Sequence, residues 1–545
     1  MTRTLAALSI VTPLALMVGC AAEDPSLDEG EEFVEDAEVV PPGKADDYLS
    51  LTAREFVVSG TATVTLEPSY SSRTEAQRLA RARELVAYRQ IAIAWFLNQY
   101  LVDKEEEESN AEYGGFGAMA KAGDYESLGI TRVGRTLTYS FRFEQLLAGR
   151  TNLMSLLPVR TASNGDKQFT LTVGLPTNEE MARLETNGEW YRQAPWSSWD
   201  PADVGASQKE DLVLTVRPET ESHDAWLDYQ SLFADGVLDI DVHFGWDYHD
   251  QYHVRHARAL FSWLKDRGFR APASSFDAMT RTSGAFTRTV RANGRDVRVE
   301  VRIFYGRTGT ETDPDTAAGG RVLEDDMRAS LATRDVIVYS GHSGPFYGFA
   351  LANWRMTDEG DLDDSEMASV RMADRYQIVV AEGCDTYQIG AAFSQNPAHR
   401  DLAGLDVITT TSFSNASSPA TVQDFLTRLI ERDSRGRHRP RTVTSLLRDL
   451  DANGGYGFHT MYGVHGIDDN PRLHPYADAE MMGEACSRNS DCGEIGNLCV
   501  SMSRALGRQC TAACTDDSGC PTNWTCRQIA SSSSRAIYGN ACVPR

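Results

Sequence analysis

Two hydrophobic periodicities alternate along the chain. Apolar and polar residues alternate from Phe56 to Leu66 and predict a strand, and Leu79, Val86, Ile93, Leu97 and Tyr100 then recur at helical spacing as far as about Val102. Ser72-Arg73-Thr74-Glu75 reads as the capping box that opens this helix. The acidic run Glu105–Glu108 and the glycines at 114–118 end the pattern, and Leu137–Phe143, Gln168–Leu175 and Leu212–Arg217 follow as strands. Residues 48–230 are therefore expected to form an α+β domain, in which no catalytic constellation is found.

From 236 to 478 the texture changes. Val237–Phe244 predicts a strand, and His253–Arg267 a helix stopped by Gly268, with Val254, Ala257, Leu260, Phe261 and Leu264 near one face. Phe286–Val290 and Val297–Tyr305 flank Asn293-Gly294, a hairpin signal. A helix is expected over Arg321–Thr333, and further helices at about 421–432 and 443–450. Val336–Tyr339, Gln377–Ala381 and Val407–Thr411 are short apolar runs of the kind that lie fully buried in a sheet. Strands alternating with helices predict an α/β sheet covered on both faces.

Composition narrows the function classes. The 545 residues are 41% hydrophobic, enough for a sizeable core, and the net charge of −25 argues against nucleic acid, whose phosphates need Lys and Arg. At the start of the chain Arg3 precedes an apolar run, Leu5–Val18, that is too short to span a bilayer comfortably. It ends in Leu16-Met17-Val18-Gly19-Cys20, which resembles a bacterial lipobox with Met17 in place of the more usual leucine. The resemblance implies that residues 1–20 are a signal segment, that Cys20 is lipidated, and that the protein sits in the bacterial cell envelope on a lipid anchor. Ala21 lacks the aspartate that marks inner-membrane retention in enteric bacteria, which favours the outer membrane. Residues 21–47 hold eleven acids and one lysine, a run expected to be an extended tether.

Ten cysteines fall into three sets. Besides Cys20, eight crowd the last sixty residues: Cys486, Cys492, Cys499, Cys510, Cys514, Cys520, Cys526 and Cys542. Their spacing forms two tandem quartets, predicting a disulfide module over 484–545 with pairing favoured inside each quartet. Paired C-x2-C spacings that would suggest zinc are absent. Cys384 stands alone, more than a hundred residues from its nearest cysteine neighbour.

Two of the buried strands end in reactive residues. Val336-Ile337-Val338-Tyr339 runs into Ser340-Gly341-His342-Ser343-Gly344, and Ile378-Val379-Val380-Ala381 runs into Glu382-Gly383-Cys384-Asp385. If these strands are parallel neighbours, both tips open on the edge where α/β sheets bind ligands. A thiol is a weak nucleophile while protonated, and a nearby imidazole both raises its thiolate fraction and later protonates a leaving amine. Backbone N–H groups of Ser343 and Cys384 would then face an oxyanion.

This pattern resembles the clan CD cysteine peptidases: caspases, metacaspases, legumains, clostripains and gingipains. The resemblance covers about 235–478 and is strongest over 335–390. It implies a caspase-like fold and peptide hydrolysis through an acyl-enzyme, with His342 as base, Cys384 as nucleophile, and no cofactor or metal in the chemistry. Ser343 departs from the pattern, since many members have glycine after the histidine. In metacaspases and their relatives an acid two positions before the cysteine helps receive a basic side chain; Glu382 holds that position, with Asp385 as a further candidate for substrate binding. Ser412-Phe413-Ser414-Asn415 is a candidate subsite lining.

Two other readings stand beside this one. The first is an inactive caspase-like domain in a surface binding or adhesion lipoprotein, motivated by the large N-terminal domain and the Cys-rich tail. The second is a zinc hydrolase built on His249, His253 and His256 with Asp247 and Asp250, although H-E-x-x-H is absent. Histidines at a solvated helix start are the simpler explanation of that cluster, and His459, His465 and His474 are assigned no role.

Overall fold

The computed structural model describes residues 48–545 apart from short segments at 108–117, 122–128, 184–189, 250, 344–347, 412–413, 416, 453–459, 494–495, 504 and 531–536. Cys20 and the acidic tether lie outside the described residues.

The first strand, β1 (Tyr48–Ser50), leads into β2 (Ala53–Thr65) and the helix α1 (Glu75–Glu107). The strands β3 (Thr138–Arg150), β4 (Lys167–Gly174) and β5 (Lys209–Pro218) follow. β2 is central, pairing antiparallel with β3 on one side and β5 on the other, and β4 pairs with β5. Alternate residues Phe56, Val58, Ala62 and Val64 of β2 pack with Leu85, Val86, Ile93, Phe96 and Leu97 of α1, so period 2 meets period 3.6 across one core. The helix is capped two residues later than expected. Thr74 Oγ1 accepts from Gln77 N at 3.3 Å and Gln77 Oε1 accepts from Thr74 N at 3.1 Å, because a 3-10 turn over Pro68–Ser72 has already used Ser72.

The central sheet is larger. It contains β6 (Val237–Phe244), β7 (Phe286–Ala292), β8 (Arg295–Tyr305), β9 (Val336–Ser340), β10 (Gln377–Glu382), β11 (Leu405–Thr410) and β12 (Tyr462–His465). With β1 it forms eight strands in the order β1-β12-β11-β10-β9-β6-β8-β7. The five strands β11, β10, β9, β6 and β8 run parallel, and antiparallel pairings, β8 with β7 and β11 with β12 and then β1, complete the two sides. Sequence-derived boundaries would leave Tyr48–Ser50 with the N-terminal domain, yet its ladder bonds are to β12.

Helices cover both faces. On one side lie α2 (Tyr252–Asp266), α5 (Ala420–Leu429) and α6 (Val443–Asp451); on the other lie α3 (Ala317–Thr333) and α4 (Tyr387–Phe393). Val336 and Val338 of β9 join the core with Leu260 and Leu264 of α2, whereas Ile337 and Tyr339 join that of Leu323, Met327 and Leu331 of α3. A strand buried on both faces carries no polar alternation, which is why these runs read as continuously apolar. α3 begins four residues before its predicted start. Thr316 caps it, and Gly319 and Gly320 lie inside it, where a Cβ on Gly319 would sit 2.1 Å from Asp313 O. The glycines that weaken the helix signal are needed for close backbone approach.

The tail holds two hairpins, β13 (Asn497–Ser503) with β14 (Gly507–Ala512), and β15 (Trp524–Ala530) with β16 (Ile537–Pro544). Disulfides join Cys486–Cys499, Cys492–Cys510, Cys514–Cys526 and Cys520–Cys542, first to third and second to fourth in each quartet. Pairing stays within quartets, as the spacing favours. Each bridge closes a loop of 12–22 residues, worth roughly 3 kcal/mol in a chain-entropy account, where the hairpins bury little apolar core.

Candidate active site

Three parallel strands end level with one another. Ser340 pairs with Phe244 on one side and with Glu382 on the other, so the loops after β6, β9 and β10 leave the sheet at one edge. Asp247, His342 and Cys384 occupy these three loops. The histidine and cysteine singled out from the sequence are thus carried on neighbouring strand tips. Two glycines allow the tips to pack: a Cβ on Gly341 would lie 2.7 Å from Gly245 Cα, and one on Gly383 would lie 2.7 Å from Ser343 Cβ.

His342 is held from several directions. Its Nε2 lies 2.9 Å from Oδ1 of Asp247, Tyr248 stacks on its ring at 4.7 Å, and Trp354 meets it edge-on at 5.7 Å. The Asp247 side chain is buried, and its Oδ2 accepts from the backbone N–H groups of His249 at 3.0 Å and Tyr252 at 3.2 Å. A carboxylate fixed in this way accepts from Nε2–H, which leaves Nδ1 as the basic nitrogen of the ring. Burial lowers the imidazole below its ordinary range, and Asp247 opposes that shift.

Sequence reasoning did not assign Asp247 this place. It was grouped with the histidines of 249–256 as a metal alternative, although the signal was available: it stands three residues past the tip of a buried strand, as His342 and Cys384 stand two past theirs. That histidine cluster also differs from its expected form. His249 precedes α2 and is half exposed, while His253 and His256 are buried in the first turns of the helix rather than solvated. Gln251, at φ 55°, immediately precedes α2, and the first turn of the helix meets the loop after β6 through His253 and Asp247. His253 Nδ1 already accepts from Asp247 N at 3.2 Å, and His249 and His253 share no helical face. Instead Asp247, His249 and His342 present ligand atoms within 4.8 Å of one another, a group able to hold a metal ion.

Cys384 forms no disulfide. Burial pushes its thiol up to about 12, the Asp385 carboxyl adds to the rise, and Ser414 opposes it through its backbone and hydroxyl. Among the described residues no hydrogen bond joins the thiol to His342. The imidazole turns toward β6 and the thiol environment is built from the β11 side, although their strands are adjacent. The backbone N–H groups of Ser343 and Cys384 have no acceptor among the described residues, and the Ser343 hydroxyl is buried without a partner.

Beside His342 lies a narrow cleft of about 20 Å³, room for little more than one water, lined by Asp247, His253, His256, Glu382, Ser414 and Asn415. Glu382 is buried at its wall, its Oε2 accepts from the Tyr462 hydroxyl at 2.5 Å, and burial pushes its carboxyl up to about 7. No described cation pairs with it. Asp385 is not brought to the cleft. At φ 51° its side chain turns inward, buried, with Oδ1 unpartnered and its carboxyl held well above the usual range by desolvation. Asp385, a sequence candidate for substrate binding, thus stands beside Cys384 but outside the lining of this cleft. Ser414 and Asn415 reach the cleft as expected of a subsite lining, and Ser412 and Phe413 lie outside the described residues.

No protein-family model, curated protein or solved structure compared with the chain matches it.

Proposed function

We propose that the protein is an exported, lipid-anchored cysteine endopeptidase of the caspase-like kind, in which Cys384 attacks a peptide carbonyl and His342, oriented by Asp247, serves as base and then acid. The observation that carries the reading is the level ending of three parallel strands with Asp247, His342 and Cys384 in their loops. In this scheme the proton of the thiol passes to Nδ1 of His342 as sulfur bonds to the carbonyl carbon. The imidazolium then gives that proton to the leaving amine, and water hydrolyses the thioester. The unpartnered N–H groups of Ser343 and Cys384 are the oxyanion donors. The anchor at Cys20, the bacterial cell envelope and an outer-membrane location rest on the lipobox-like N-terminus.

A peptide bearing a thiol-reactive group tests the proposal. Labelling is expected at Cys384 and to fall at least tenfold in His342→Ala. One observation favours a second reading, an inactive domain that binds rather than cleaves: the thiol is pushed up to about 12 and is not bonded to the imidazole. A thiol that stays silent to the probe in the full chain would decide for the binder.

Glu382 makes the proposed substrate a peptide with Arg or Lys at the cleavage site. An uncompensated carboxyl beside the scissile position is stabilised by the cation a substrate brings. Its folded value is raised, so it is protonated below about 7 and charged above it. The ratio of kcat/KM for a basic over a neutral cleavage-site residue is therefore expected to climb as pH rises through about 7. Glu382→Gln should flatten that climb and lower the ratio roughly 10–100-fold, the value of a hydrogen bond to a charged group. An unchanged ratio in the variant would remove Glu382 from specificity.

A further inference from the structure

We infer that Asp247, His249 and His342 form a site for a divalent cation of the zinc class, and that the bound ion switches the proposed peptidase off. Two imidazoles converge on one carboxylate oxygen. His342 Nε2 and His249 Nδ1 each lie 2.9 Å from Asp247 Oδ1, and their ring centroids are 5.6 Å apart. One nitrogen from each ring and one carboxylate oxygen make a three-ligand set of the kind zinc accepts, with a fourth position left for water or another ligand. The second carboxylate oxygen is fixed by the backbone N–H groups of His249 and Tyr252, so the carboxylate does not have to be reorganised to receive an ion. Tyr248 lies against both rings, at 4.0 Å from His249 and 4.7 Å from His342, and limits their rotation. The His249 side chain is 49% exposed, which gives an ion a route to the site.

The consequence for the proposed chemistry follows from the tautomers. With no ion bound, Nε2–H of His342 donates to Asp247 and the lone pair of Nδ1 is available to take the thiol proton. An ion bound at Nε2 needs the lone pair there. The neutral ring then carries its proton on Nδ1, moved through water, and that nitrogen no longer accepts from Cys384. His249 changes in the same way, from Nδ1–H to Nε2–H, with Nε2 in solvent. Both rings remain neutral, so the exchange releases no net proton and calls for no redox partner. The ion occupies the base while the nucleophile is left untouched. The silencing half of the inference rests on the peptidase reading; the metal site does not.

The test uses the full chain stripped with chelator. Titration calorimetry with zinc, and absorption with cobalt(II) as a spectroscopic stand-in, should give one ion per chain. His249→Ala, an exposed change, should weaken binding at least tenfold, and Asp247→Asn should do the same. Cys384→Ala should bind as the unaltered chain does. Absence of stoichiometric binding, binding indifferent to His249, or binding lost with Cys384 would each overturn the site. Labelling of Cys384 by the peptide probe is then followed with and without zinc. Zinc should suppress labelling in the unaltered chain and chelator should restore it, with the zinc concentration for half suppression at least tenfold higher in His249→Ala. Zinc bound at full occupancy with labelling unchanged would overturn the switch. A chain that binds zinc through these ligands yet never labels keeps the metal site and loses the peptidase.

Discussion

Cys384→Ala is expected to lower peptide hydrolysis by the purified chain by at least about a thousandfold, to the background of a site without its nucleophile. The change removes one sulfur from a protein that stays folded, so the thermal midpoint and circular dichroism should hold close to those of the unaltered chain. The size of the effect follows from the thiol environment. Burial holds the thiol in its protonated form at neutral pH. A preformed thiolate therefore contributes almost nothing, and the attack needs His342 to take the proton as the bond forms. Small thiol reagents should accordingly react slowly at neutral pH, while a peptide probe that engages His342 as base reacts faster. Hydrolysis that survives in Cys384→Ala, with the fold intact, would end the peptidase reading.

Asp247→Asn is expected to lower kcat by about a thousandfold or more, with KM nearly unchanged. The reason lies in the two backbone donors at Oδ2. In the asparagine variant those N–H groups require an oxygen, so the side-chain amide must place its NH2 group toward the rings. His342 Nε2 then faces a donor and becomes the acceptor, and the ring proton moves to Nδ1, where it blocks the thiol. The loss is of tautomer rather than of shape, and in a histidine-based triad such a loss amounts to about four powers of ten. Asp247→Ala should lose less tautomer bias but also lose orientation. A kcat within threefold of the unaltered chain in Asp247→Asn would show that His342 does not work through this carboxylate.

How much of this was legible along the chain differs from residue to residue. Buried parallel strands announce themselves because neither face meets water, and β9 and β10 were readable as runs of Val and Ile for that reason. His342 and Cys384 were readable because a polar, Gly-flanked residue directly after such a run sits where α/β sheets bind ligands. Asp247 follows the same rule but was masked by its neighbours, since an acid amid three histidines also spells a metal cluster. The burial of His253 and His256 was not legible, because it depends on how the first turns of α2 pack against the loop after β6. The burial of Asp385 was not legible either, because spacing says nothing about what packs over a carboxyl.

The order of residues by itself determined the layers, the helix-covered sheet, the stapling of the tail within each quartet and the two strand tips with chemical promise. These depend on periodicity and spacing, which are properties of neighbours in the chain. Tertiary structure alone decided that β6 lies beside β9, bringing Asp247 to His342 across 95 positions, and that Tyr48–Ser50 closes the far edge of the same sheet. It also decided that Ser414, thirty positions away, lies against the thiol. Strand order and desolvation arise from the packing of distant segments against one another, and no local pattern encodes them.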